Sequence, residues 1–150
     1  MPARLVLLVS LFLTTLSYAS PEEAVRGDAF VSASIAEPAQ LIPMFASDSA
    51  SAEVSHLIFN GLVKYDKNLK LAGDLAESWS IENGGLKIVF KLRKNVRWQD
   101  GAPFTAQDVE FTFQKIKDPK LPSPYGGLFE KVKSVTAVDD LTLEVLYEEP

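Results

Sequence analysis

The stretch RWQDGAPFTAQDVEFTF, running from Arg97 to Phe113, is the densest part of the chain: one tryptophan, three phenylalanines, a glycine turn and the carboxylates Asp100, Asp108 and Glu110. Either it is a working site or it is framework. Trp98-Gln99-Asp100-Gly101 reads as a turn, and Pro103 keeps Ala102 extended. Thr105 followed by Asp108 is a capping-box start. The helix it opens places Val109, Phe113 and Ile116 on one face, at i, i+4 and i+7. Asp108 and Glu110 fall in its first turns, where the helix dipole favours negative charge, and Lys115 and Lys117 fall near its end. Turn, cap and helix-face roles account for the carboxylates, with Glu110 facing water. Trp98 and Trp79 each adjoin a strand and are expected to fill a core. The stretch therefore reads as scaffold.

Outward from it, the chain alternates. SWSIENGGLKIVFKLRK carries Asn83-Gly84-Gly85 between two alternating runs, a strong hairpin signal. Leu86, Ile88, Phe90 and Leu92 share one face of the second run, and Lys87, Lys91 and Arg93 mostly the other. LVKYDKNLKLAG turns at Asp66-Lys67-Asn68. KVKSVTAVDDLTLEVLY turns at Asp139-Asp140, with Leu141, Leu143, Val145 and Tyr147 on one side. These pieces make half-buried antiparallel sheet. Earlier, SASAEVSHLIFNGL spaces Val54, Leu57, Ile58 and Gly61 as a helix does. Asp48, Ser49 or Ser51 can cap its start, and Gly61 is a natural stop. Asp28 to Ile35 alternates as a strand.

The first residues set the compartment. Arg4 precedes an apolar run from Leu5 to Leu16, and Ser17-Tyr18-Ala19 has the small residues of a signal-peptidase site. A membrane span needs about 20 apolar residues, more than this run supplies. Cleavage after Ala19 is expected, leaving a mature chain from Ser20 whose formal charge passes from -5 to -6 with the loss of Arg4. Cysteine is absent, so neither disulfides nor a lipidated N-terminal thiol can be involved. A soluble periplasmic protein fits both facts.

Composition narrows function further. At 47% hydrophobic the chain can bury a core, and it has no basic run to meet phosphates, which disfavours nucleic acid. With no cysteine and His56 as its single histidine, the chain lacks the parts for most nucleophilic or metal chemistry, and an exposed or interfacial role for His56 is expected. Asp66, Asn68 and Glu77 imitate an EF-hand, but Lys70 stands at position five and Leu71 where glycine is required, so calcium is not expected. No catalytic residue, metal or cofactor is assigned.

That profile suits an exported binding protein. In that light several ordered segments resemble one family, the extracellular solute-binding proteins of family 5, the oligopeptide-, dipeptide- and nickel-binding components of ABC importers. They are the early strand with EPAQLIP, then LIFNGLVKYD, the run from Leu71 to Pro119 containing LAESW and RKNVRWQDGAPFTAQDVEFTF, the loop SPYGG, and VTAVDDLTLEVLYEEP. The resemblance implies an α/β, class II periplasmic-binding-protein fold of two lobes closing on a ligand. Family members are much longer, so this chain is expected to be an N-terminal fragment. Residues 20–53 would begin the first lobe, residues 54–150 would form most of its small inserted α+β domain, and the second lobe would be absent. The resemblance also carries over ligand contacts: Ser47, Asp48 and Ser49 before the first helix, and Tyr125 of the SPY loop. A helix cap is the competing reading of Ser47 to Ser49. The implied ligand is a di- or oligopeptide, held largely through main-chain hydrogen bonds, and the implied partner is a membrane permease that the protein meets as a monomer. Nickel chelates, haem or other solutes, a sensor module without transport, and an enzyme with its site elsewhere are the rivals.

Overall fold

The computed structural model describes residues 33–34 and 36–150. The signal segment and most of the expected Asp28–Ile35 strand lie outside the described residues. The chain divides at Ala33/Ser34, and the description concerns the unit Ser34–Pro150.

Asn83-Gly84-Gly85 makes the predicted reversal. All three have positive φ, which lets the chain double back between β3 (Ala76–Glu82) and β4 (Lys87–Leu92). The Asp139-Asp140 turn joins β5 (Val132–Asp139) to β6 (Thr142–Tyr147). The four strands form one antiparallel sheet in the order β3-β4-β6-β5. Register follows the apolar alternation: Phe90 lies opposite Leu143 and Ile88 opposite Val145, while Ala137 and Val135 meet the same two residues from β5. Leu143 is fully buried at the centre, with Leu92, Val132 and Val145 around it. The opposite face carries the alternating lysines and their partners. Lys91 Nζ donates to Thr142 Oγ1 at 2.9 Å, and Lys87 pairs with Glu144 at 2.6 Å.

The helix of the opening stretch, here called α2 (Ala106–Ile116), lies against β5 and β6. Its start is the predicted capping box: Asp108 Oδ2 accepts the Thr105 N–H at 2.8 Å. Ala106, fully buried, donates its N–H to the carbonyl of Asp140 at 2.9 Å, tying the helix start to the β5–β6 turn. Glu110 departs from expectation. Instead of facing water it is half-buried, and its Oε2 accepts the Ala137 N–H of β5 at 2.9 Å. As an edge strand, β5 has N–H groups without a ladder partner, and a carboxylate on the adjacent helix satisfies one of them.

The remaining hairpin pairs β1 (Val63–Tyr65) with β2 (Leu71–Gly73). Asp66 closes it, its Oδ1 accepting the N–H groups of Asn68 at 2.8 Å and Lys70 at 2.9 Å. This EF-hand look-alike is a hairpin turn. Ahead of it runs α1 (Ser49–Ile58), which ends three residues before the expected stop at Gly61. The carbonyls of Gly61 and Leu62 accept the N–H groups of Leu75 and Ala76, at 3.0 and 2.9 Å, which draws the chain out of the helix early. The expected division at residues 53/54 therefore falls inside a continuous helix. Among the described residues no helix is long and apolar enough to cross a membrane.

Asp74 fastens the segment after α1 to the end of β2. Its carboxylate accepts from Lys64 Nζ at 2.9 Å and from Asn60 Nδ2 at 3.0 Å. The Lys64 hydrogen bond, outweighing partial burial, holds the Asp74 carboxyl below its ordinary range. A depressed folded-state value means that this contribution is present above the ordinary carboxylate range and is lost as pH falls through the depressed one. Stability should thus be insensitive to this group near neutrality and decline below about pH 4. Asp74→Asn should remove part of that acid decline in urea unfolding followed against pH. Equal acid sensitivity in variant and parent would contradict the assignment.

Candidate functional site

The residues assigned to ligand contact, Ser47, Asp48, Ser49 and Tyr125, come from two distant segments, and the fold brings those segments together. The first is the loop from Gln40 into α1. Pro43–Phe45 makes one 3-10 turn, closed by Phe45 N–H to Ile42 O at 3.0 Å and Ala46 N–H to Pro43 O at 3.2 Å. Asp48, extended at φ -102° and ψ 157°, is the N-cap of α1. Its Oδ1 accepts the Ser51 N–H at 2.8 Å and its Oδ2 the Ser51 hydroxyl at 2.6 Å. These two bonds, the hydroxyl first, lower the Asp48 carboxyl below its ordinary value. The cap role weighed from sequence thus belongs to Asp48, whose carboxylate is engaged inside the protein.

Ser51 is fully buried, and its Oγ also accepts the Gln40 N–H at 3.0 Å. The inward face of α1 consists of Ala50, Ser51 and Ser55. The expected apolar positions behave otherwise: Leu57 is 73% exposed and Ile58 43%. Small residues let the helix sit close to the loop before it, and the large ones are turned outward. His56 is exposed, as expected of it. Ser47 and Ser49 are exposed too, and among the described residues neither hydroxyl has a partner.

The second segment is the SPY loop. Ser123 Oγ donates to the carbonyl of Met44 at 2.6 Å, and the Tyr125 hydroxyl donates to the carbonyl of Ala46. Tyr125 is half-buried and, with Ala46, Ser55, His56 and Phe59, lines a cavity of about 230 Å³. The Ser55 hydroxyl is buried without a hydrogen-bond partner among the described residues. Sequence reasoning gave Ser123 and Gln40 no role, and offered Ser51 as a cap of α1 where it is instead the partner of the capping Asp48. The one usable signal was Ser123 two residues before Tyr125, a spacing at which a hydroxyl can accept a local N–H; here Tyr125 N–H donates to Ser123 Oγ at 3.2 Å.

On the far side of the loop lies an apolar groove of about 440 Å³, with Ile42, Met44, Phe59, Leu62, Trp98 and Phe104 among its walls. Trp98 lies in its wall, 38% exposed and edge-on to Phe104 with ring centroids 5.6 Å apart, instead of filling the core as expected. The stretch from Arg97 is scaffold in its turn and cap: Gly101 N–H bonds Trp98 O at 2.9 Å, and Asp100 Oδ1 accepts the Ala102 N–H at 2.9 Å. One side of that scaffold nevertheless forms an open apolar surface. Among the described residues no group of three His, Cys, Asp or Glu side chains is placed to hold a metal ion.

Residues 70–150 match the model of bacterial extracellular solute-binding proteins, family 5 middle. The chain is 32% identical to the probable deoxycholate-binding periplasmic protein YgiS of Escherichia coli K12, across 76% of this chain and 24% of YgiS. The crystal structure of NikZ from Campylobacter jejuni in complex with Ni(L-His) superposes with a TM-score of 0.71 at 36% identity, over 77% of this chain and 23% of NikZ. That of Haemophilus influenzae OppA complexed with RPPGFSPFR gives a TM-score of 0.73 at 29% identity, over 77% and 26%. The chain spans about a quarter of the length of these relatives. Its α/β fold is that of part of a class II periplasmic binding protein. By the family model and by the fold, the chain belongs to the bacterial extracellular solute-binding proteins of family 5.

Proposed function

We propose that this chain is the first-lobe part of a periplasmic solute-binding subunit of an ABC importer, which binds di- or oligopeptides and delivers them to the membrane permease. The reading is carried by one observation. The Ser47–Ser49 loop, with two exposed serine hydroxyls that have no partner among the described residues, stands beside Tyr125 in a fold shared with a nonapeptide-bound OppA. Peptides offer a repeating set of main-chain donors and acceptors, and short hydroxyls beside a helix start meet them without demanding a particular side chain. Export by cleavage after Ala19 and work as a monomer belong to the same proposal. So does a boundary between first lobe and inserted domain in the Phe59–Leu62 connection, where the helix gives way to strand pairing.

A nickel chelate is the second reading, favoured by the 36% identity to NikZ. Native mass spectrometry of the complete protein, purified without denaturation, separates the two. Peptide masses released from the protein are expected. A nickel complex carried with one-to-one stoichiometry, and no peptide, would overturn the first reading.

A further inference from the structure

Met44 and Ala46 stand two residues apart, and so do the two hydroxyls that meet their carbonyls, those of Ser123 and Tyr125. The two segments thus run side by side in register. Pro124 between them has no N–H to offer, so side-chain hydroxyls take the place that main-chain donors hold in a sheet. The 3-10 turn does not use these two carbonyls, because it closes on those of Ile42 and Pro43. Other bonds hold the backbone of the loop and its cap: Gln40 Oε1 accepts from Leu41 N–H at 3.0 Å and Ile42 N–H at 3.1 Å, Gln40 N–H reaches Ser51, and Asp48 holds the start of α1. Among the described residues the hydroxyls of Ser47 and Ser49 have no partner.

We propose that Ser123 and Tyr125 are positioning residues, a paired latch that presets the Ser47–Ser49 loop in its ligand-ready shape before any ligand arrives. This rests on the reading of that loop as ligand-facing. It also reassigns Tyr125: its hydroxyl proton is given to Ala46, so its effect on binding runs through the loop and not through donation to the ligand. Presetting matters because a loop that must be ordered on binding subtracts that cost from affinity.

The test uses hydrogen exchange of the complete, ligand-free protein, read at the Phe45 and Ala46 amides that close the 3-10 turn. Ser123→Ala and Tyr125→Phe should each speed their exchange about two- to tenfold, the range that one net hydrogen bond commands. Ser123→Thr, which keeps the hydroxyl, should restore the parental rate. Peptide affinity, measured with a random nonapeptide mixture, should fall by a similar factor in the first two variants and recover in the third. Unchanged exchange in Ser123→Ala and Tyr125→Phe overturns the latch. If affinity falls in Tyr125→Phe while exchange holds, Tyr125 is a direct contact and the latch is likewise overturned. A parent that binds no peptide defeats the peptide reading alone, since the exchange result still decides the latch.

Discussion

Leu143→Ala is expected to destabilise the sheet by about 2–5 kcal/mol, the cost of emptying a large buried aliphatic site. Leu143 is among the few large side chains with essentially no exposure, and it sits in β6 between Phe90 of β4 and Ala137 of β5. Neither neighbour can follow the lost methyls inward. The backbones on both sides are held by ladder bonds, and α2 is tied above them through Ala106 and Glu110. The cavity should therefore stay open, placing the cost toward the upper part of that range. Amide exchange of β4 and β6 in urea is the measurement. A loss below about 1 kcal/mol would mean that the core relaxes around the gap and is looser than the register implies.

Gly73→Ala is the second large effect, and its cause is steric. A Cβ at this position would stand 2.3 Å from the carbonyl oxygen of Ala76 and 3.3 Å from that of Glu77, both backbone atoms. Ala76 is fully buried, and its N–H is engaged with Leu62. The obstructing carbonyl lies at the start of β3, where Ala76 pairs with Leu92 of β4, and cannot swing aside without disturbing that pairing. A cost of about 3 kcal/mol is expected, at the upper end for overpacking. Gly84→Ala provides the contrast. Its Cβ would meet nothing within 4 Å, but the residue holds φ at +65°. Only the left-handed backbone is penalised there, by about 1 kcal/mol. If the two variants unfold at the same denaturant concentration, the close approach at Gly73 is not what fixes the hairpin to the sheet.

The elements that were legible in the sequence are those whose cause is local. Asn83-Gly84-Gly85, Gln99-Asp100-Gly101 and Thr105 with Asp108 each carry their own turn or cap chemistry within four residues. The alternation of Ile88, Phe90 and Leu92 with lysines declares its buried face without reference to the rest of the chain. What the sequence hid depends on partners far along it. Nothing near Glu110 announces that it will satisfy an N–H of a strand 27 residues later. Helix α1 misled for the same reason. Its large residues suggested a buried stripe, but the neighbour it packs against is its own preceding loop, and only Ala50, Ser51 and Ser55 are small enough to allow that approach. Its end was misplaced because the carbonyls of Gly61 and Leu62 are held by the N–H groups of Leu75 and Ala76, partners 14 residues on that the glycine itself does not announce. Of the four ligand-contact candidates, the cap at Asp48 could be foreseen. The hydroxyl bond from Tyr125 to a carbonyl 79 residues earlier could not.

On the proposed function, the complete protein binds peptides through a cleft to which the Ser47–Ser49 loop contributes. Calorimetric titration tests it most directly, with mixed di- to nonapeptides in one cell and nickel–histidine in another. Peptide binding at micromolar or tighter affinity, about 8 kcal/mol of binding free energy or more, weakened when Ser47 and Ser49 are both replaced by alanine, is the predicted result. Heat from nickel–histidine alone, with none from any peptide, would contradict the account.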